Sequence, residues 1–72
     1  MAHTQSRFRV ETEREDDGRW IAAVPALPGV LAYGATREAA IANAQALALR
    51  VLVERLERGE MTGELEGLFE AA

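Results

Sequence analysis

Five carboxylates crowd a short stretch near the start of the chain and are the first candidates for chemistry. They are Glu11, Glu13, Glu15, Asp16 and Asp17. Carboxylates bind Mg²⁺ or Mn²⁺ in nucleases when they converge on one pocket from different elements. Here they belong to a single predicted hairpin and alternate along its solvent face. We therefore interpret them as a solvated acidic surface, and we expect no metal site and no cofactor.

Few other side chains could take part in catalysis or ligand binding. His3 is the only histidine, and no second catalytic group lies near it in the sequence. Trp20 and Tyr33 could stack on nucleic acid bases, but basic residues do not surround them. We expect Trp20 to pack in the core and Tyr33 to lie at a sheet edge. The chain is therefore expected to have no catalytic residue and not to be an enzyme.

Composition and charge narrow the function classes. The chain has 12 acidic and 8 basic residues, a net charge of −4 and no cysteine. Phosphate binding requires clustered Lys and Arg, so we expect no direct nucleic-acid binding by this chain alone. The lack of cysteine excludes a disulfide framework and a thiolate zinc site. No apolar run approaches the ~20 residues of a membrane span, so we expect a soluble, cytoplasmic protein without membrane contact.

The first half of the chain has the pattern of antiparallel strands. Phe8, Val10 and Thr12 alternate with charged residues from Arg7 to Glu13, which predicts a half-buried strand. Asp17-Gly18 predicts a tight hairpin turn in which both residues have positive φ, and residues 20–24 form the returning strand. Two prolines end that strand, so residues 25–29 are a loop and residues 30–33 a short third strand.

The second half predicts one long helix. Thr36 is placed to cap its N-terminus, with Glu38 in the first turn. No helix breaker occurs from Arg37 to Arg58, and Gly59 fits the left-handed residue that ends many helices.

Two apolar stripes run along this helix. The first can be covered by the sheet and consists of Ile41, Ala44, Ala48, Val51 and Leu52. The second has the spacing of helix-to-helix packing, and we call it the helix seam: Ala42, Ala46, Leu49, Val53 and Leu56. One sheet can hardly cover both stripes. The seam is therefore a candidate interface with a partner or another copy, unless the C-terminal segment folds over it.

The middle of the chain resembles the HicB-like antitoxin family. The family pattern is G-x-W/Y-x-A-x-V-P-x-L-P-G, followed by G-x-T-x-E-A and an alanine-rich helix. The matching residues are Gly18, Trp20, Ala22, Val24, Pro25, Leu27, Pro28, Gly29, Gly34, Thr36, Glu38 and Ala39 or Ala40. The resemblance extends from about Phe8 to about Leu56.

The resemblance implies a single domain over residues 1–72 in the α/β (α+β) class. It would be a three-stranded antiparallel sheet with one long helix packed on it and a short fourth strand. This β-β-β-α-β order is that of a partial ribonuclease H-like fold. We expect residues 1–6 to be a flexible start, residues 7–58 the core and residues 59–72 a tail that forms the fourth strand. Leu65, Leu68 and Phe69 also have helical spacing, so a short helix is the alternative.

The resemblance also implies an antitoxin function. Such a module neutralises a HicA-type toxin, a small basic protein that uses a histidine to cut mRNA, by covering its active site. The hypothesis places an apolar contact on the helix seam and an acidic rim at Glu11, Glu13 and Asp16. Many HicB proteins continue into a segment that binds the operator, but because few residues follow Arg58 we expect none here.

Two other functions stay open at this point. The chain could be a stand-alone homo-oligomer, a dimer or a tetramer, that has no toxin partner. Self-association would supplement the core of a domain this small, which buries only about 60% of the surface of its unfolded chain. The remaining alternative is a residual metal-dependent nuclease on the ribonuclease H-like scaffold.

Overall fold

The computed structural model describes residues 8–60, which form three strands and one helix. The strands are β1 (Glu11–Arg14), β2 (Trp20–Ala23) and β3 (Leu31–Gly34), and the helix is α1 (Arg37–Glu57). The strands form an antiparallel sheet in the order β1-β2-β3, and α1 packs mainly over β2 and β3. The predicted α+β architecture is confirmed. The predicted flexible start and fourth strand lie outside the described residues, as do His3 and most of the predicted tail.

The hairpin between β1 and β2 turns through three residues. The Glu15 amide donates to the Arg19 carbonyl (2.7 Å), and the Gly18 amide donates to the Glu15 carbonyl (3.0 Å). Among residues 8–60 only glycines have positive φ, and Gly18 has a φ of 92°. The prediction that Asp17 shares the positive φ is therefore wrong. A turn closed between Glu15 and Gly18 needs only one left-handed residue, and glycine takes that position without strain.

The proline loop contributes to the core as well as redirecting the chain. Leu27 is only 2% exposed, although Pro25 and Pro28 on either side of it are exposed. Its amide donates to the Val24 carbonyl (2.9 Å), and its carbonyl accepts from the Val30 amide (3.0 Å). These two hydrogen bonds fold the loop inward. As a result, Leu27 is one of the two largest fully buried side chains.

Small residues allow α1 to lie close to the sheet. The buried residues of the helix are Ala40, Ala44, Ala48 and Leu52. Ile41 and Val51 of the first predicted stripe are half-buried against this core, so the stripe is confirmed as the face that the sheet covers. Trp20 is likewise half-buried and packs against the core. With three alanines among its four buried residues, the helix contributes little side-chain volume to the core.

Both ends of α1 have the predicted caps. The Thr36 hydroxyl oxygen accepts a hydrogen bond from the Ala39 amide (3.0 Å). At the other end Gly59 has a φ of 80°, and its amide donates to the Leu56 carbonyl (3.0 Å). The Glu60 amide donates to the Arg55 carbonyl (2.8 Å), which completes the usual glycine C-cap. Within residues 8–60, no helix combines the length and the apolar character required to cross a membrane.

Candidate functional site

The sheet has one face that the helix does not cover. Successive side chains of a strand point to opposite faces, and the pairing register decides which residues share a face. We call the uncovered side the outer face. It carries Glu11 and Glu13 of β1, paired with Ala23 and Ile21 of β2, which are in turn paired with Leu31 and Tyr33 of β3.

The position of Thr12 shows which face of β1 the helix occupies. Arg37, the first residue of α1, donates a hydrogen bond from Nε to the Thr12 hydroxyl oxygen (3.3 Å). Ala22, the cross-strand partner of Thr12, is completely buried. Because Thr12 faces the helix, Glu11 and Glu13 on either side of it face away from the helix.

The outer face has an apolar centre with acidic side chains along one edge. Leu31 is 46% exposed and Tyr33 41% exposed, while Ile21 and Ala23 between the edge strands are half-buried. Glu11 and Glu13 are exposed along β1. Carboxylates and aliphatic groups line a shallow depression across the face. This arrangement is suited to contact with another protein rather than to enclosing a small molecule.

A cation–π contact holds Tyr33 at the hairpin end of this face. The Arg19 guanidinium lies 4.6 Å from the centre of the Tyr33 ring. Its Nε also donates to Asp17 Oδ2 (2.9 Å), so the charge of Arg19 is balanced locally. The Arg19 backbone amide donates to Asp17 Oδ1 (3.0 Å), and this hydrogen bond, with the adjacent guanidinium, lowers the pKa of Asp17 below its ordinary value of 3.8.

The predicted acidic residues do not all lie together. Glu11 and Glu13 are on the outer face, whereas Asp16 is exposed in the turn between β1 and β2. Arg14 and Arg19 lie among the carboxylates of this hairpin. In the part of the chain that the structure describes, no group of three or more His, Cys, Asp or Glu side chains could hold a metal ion.

The helix seam forms a second, separate surface. All five of its residues are exposed, and Leu49, Val53 and Leu56 are 61%, 52% and 50% exposed. The sheet lies between α1 and the outer face. The hypothesis of one surface with an apolar contact on the seam and a rim at Glu11 and Glu13 therefore does not match the geometry, because these two sets are on opposite sides of the sheet.

An apolar groove continues the helix seam toward the start of β1. Its walls come from the segment before β1, from the end of β2 and from α1. The lining residues are Phe8, Val10, Val24, Gln45, Ala48, Leu49 and Leu52. Leu49 therefore belongs both to the seam and to one wall of the groove.

The apolar centre of the outer face was not among the predicted site residues, although the sequence holds a signal for it. Residues 20–24 are apolar without interruption, whereas a strand with one solvated face alternates apolar and polar residues. A continuous run in an antiparallel sheet indicates that both faces are apolar. Leu31 and Tyr33 extend this second apolar face onto β3.

Comparison of the chain with protein-family models, with curated proteins and with solved structures gives no match. The resemblance to HicB-like antitoxins rests on the sequence pattern between Gly18 and the start of α1.

Proposed function

We propose that this chain is an antitoxin-like protein-binding module. As a cytoplasmic protein, it would neutralise a HicA-type mRNA-cleaving toxin by covering the toxin's active site. The observation that supports the proposal is the outer face, where an apolar centre open to solvent lies beside Glu11 and Glu13. The HicB-like sequence pattern supports the identity of the partner.

Apolar burial gives this contact only part of its free energy. Fully burying a leucine contributes about 1.5–3 kcal/mol, so covering the exposed half of Leu31 contributes on the order of 1 kcal/mol. Tyr33 adds a similar amount and offers its hydroxyl group to the partner. A standard interface buries about 800 Å² on each partner, which is more than these side chains present. The contact must therefore extend over the acidic edge.

The acidic edge fits a basic partner. Glu11 and Glu13 are exposed beside the apolar centre, and the chain as a whole has a net charge of −4. Carboxylates at an interface rim mainly speed the encounter with a positively charged protein and make the association rate depend on salt. Inhibition by coverage requires no chemistry from this chain.

An RNA-cleavage assay tests the proposal. A purified HicA-type toxin from the same genome is incubated with RNA while this chain is added in increasing amounts. We expect cleavage to stop when the chain is in excess. Leu31→Glu places a carboxylate in the apolar centre of the contact, where it would be desolvated without a partner, so inhibition should weaken at least tenfold.

Two further variants test whether a loss of inhibition comes from a change on the outer face or from a change in the net charge of the chain. Arg50→Glu also makes the chain more acidic, but Arg50 is exposed on the helix away from the outer face, so this control should inhibit like the parent. The double change Glu11→Lys and Glu13→Lys should slow association and reduce its dependence on salt. Uninhibited cleavage in the presence of the folded parent chain would rule out the toxin partner. Full inhibition by folded Leu31→Glu would rule out the outer face as the contact.

A further inference from the structure

We infer that the helix seam binds a second copy of this chain, with the two helices antiparallel and the two-fold axis beside Leu49. This surface is distinct from the outer face that we propose for toxin binding. The inference starts from the exposure of all five seam residues, of which Leu49, Val53 and Leu56 are each at least half exposed.

The order of residue sizes along the seam identifies the partner as another copy in antiparallel orientation. The N-terminal half of the seam carries alanines, Ala42 and Ala46, and the C-terminal half carries Val53 and Leu56. Leu49 lies midway between Ala42 and Leu56. A two-fold axis at Leu49 places Leu56 of one copy over Ala42 of the other and sets Val53 beside Ala46. A large side chain then meets a small one on both sides of the axis.

A parallel pair would fit less well. It would set alanine against alanine at one end and Leu56 against Leu56 at the other. Packed helices lie about 8–10 Å apart, depending on the side chains at the contact, so the axes would splay or leave a gap. Parallel helices also align their dipoles, whereas antiparallel helices bring opposite ends together.

The groove beside the seam extends the surface available to the second copy. A stable interface buries about 800 Å² per partner, which is more than five side chains of one helix provide. Leu56 of the second copy, placed over Ala42, lies next to Gln45 at the edge of the groove. The groove walls at Phe8 and Val10 then become part of the contact.

The composition of the core indicates why such a pairing is useful to this chain. Three of the four buried helix residues are alanines, and Leu27 and Val24 are the largest fully buried side chains. A domain of this size buries a small share of its surface, and self-association adds apolar burial without lengthening the chain.

Light scattering and disulfide trapping with the full chain test the inference. We expect the parent to be a dimer and Leu49→Glu to be a folded monomer with half the mass, because two carboxylates would meet at the axis. The chain has no cysteine, so single cysteines report proximity directly. Under oxidation Leu49→Cys should cross-link to itself, since a disulfide needs Cα atoms about 4.4–6.8 Å apart.

Two more cysteine variants determine the orientation. Leu56→Cys alone should not cross-link in an antiparallel pair, whereas Leu56→Cys mixed with Ala42→Cys should form a heterodimer. Glu54→Cys, on an exposed position beside the seam, is the control that should stay reduced. A monomeric parent would overturn the inference. So would a dimer whose mass Leu49→Glu leaves unchanged, or self-cross-linking of Leu56→Cys without that of Leu49→Cys.

Discussion

Gly34→Ala tests the close contact between the sheet and the helix. A Cβ atom added at Gly34 would lie 2.8 Å from the Ala39 carbonyl carbon and 2.9 Å from the Ala39 Cβ. It would also overlap the Ala40 backbone nitrogen. Real Cβ atoms essentially never approach other heavy atoms within 3.0 Å. Two of the three obstacles are backbone atoms of the first turn of α1, so the helix must move away from β3.

The expected loss of stability follows from two opposing effects. Overpacking a well-packed contact lowers stability by about 1–3 kcal/mol. We expect a loss near the upper end of this range, because the added Cβ meets backbone atoms that cannot rotate aside as a side chain can. Replacing a glycine inside a strand returns about 0.5–1 kcal/mol of backbone entropy. The net loss is about 2 kcal/mol. For a domain of this size, that lowers Tm by roughly 8–16 °C.

Thermal unfolding followed by circular dichroism measures this shift, at one protein concentration for all variants because association changes Tm. Gly29→Ala is the control for backbone conformation alone, because Gly29 has a φ of 91° and no atom near the added Cβ. Gly29→Ala should lower the free energy of unfolding by about 1–2 kcal/mol. Adding Ala39→Gly to Gly34→Ala removes only the side-chain contact and should restore little stability. A parent-like Tm for Gly34→Ala, or full rescue by Ala39→Gly, would refute the backbone obstacle.

Three smaller predictions concern the caps, the proline loop and the hairpin. Thr36→Ala removes the hydrogen bond from the Ala39 amide and should lower the free energy of unfolding by about 1 kcal/mol. Thr36→Ser keeps a hydroxyl group at this position and should retain the parent's stability. Urea titrations measure both variants. Leu27→Ala empties a fully buried position and should cost about 2–5 kcal/mol, measured the same way. The pKa of Asp17 is lowered by the Arg19 amide, so its contribution to stability is present above pH 3.8 and is lost as the pH falls below it. NMR titration should find this pKa below 3.8, and Asp17→Asn should remove that part of the acid sensitivity.

Patterns confined to neighbouring residues predicted most of the fold. Alternation along the first strand, the stop imposed by Pro25 and the cap at Thr36 each depend on the local backbone. The second strand, the third strand and the helix formed within one residue of the predicted bounds. The apolar stripe from Ile41 to Leu52 could be predicted equally well, because the residues of a helix repeat with a fixed period. The prediction of a first strand over residues 7–13 was wrong at its start, because β1 is Glu11–Arg14. Hydrogen bonding across the sheet, and not residue type, decides where pairing begins and ends.

Three other features could not be predicted in the same way. Leu27 lies between two prolines in a loop, and only the paired hydrogen bonds with Val24 and Val30 turn it inward. In the three-residue turn the Asp17 side chain accepts hydrogen bonds from Arg19, while the Asp17 backbone keeps an ordinary φ. The sequence could not show which candidate residues lie on which side of the sheet. That assignment needs the pairing register of the strands, because a shift by one residue would exchange the two faces of β1.

That division makes the two proposed contacts separable by mutation. Leu31 lies on the outer face and Leu49 on the helix seam, with the sheet between them. Mutations at distant sites without shared partners act additively, so Leu31→Glu should weaken toxin inhibition without changing the mass of the dimer. Leu49→Glu should halve the mass and leave inhibition per chain unchanged. Their combination should show both effects at full size. If Leu49→Glu also abolished inhibition while remaining folded, a toxin site spanning both copies would replace the single-chain outer face.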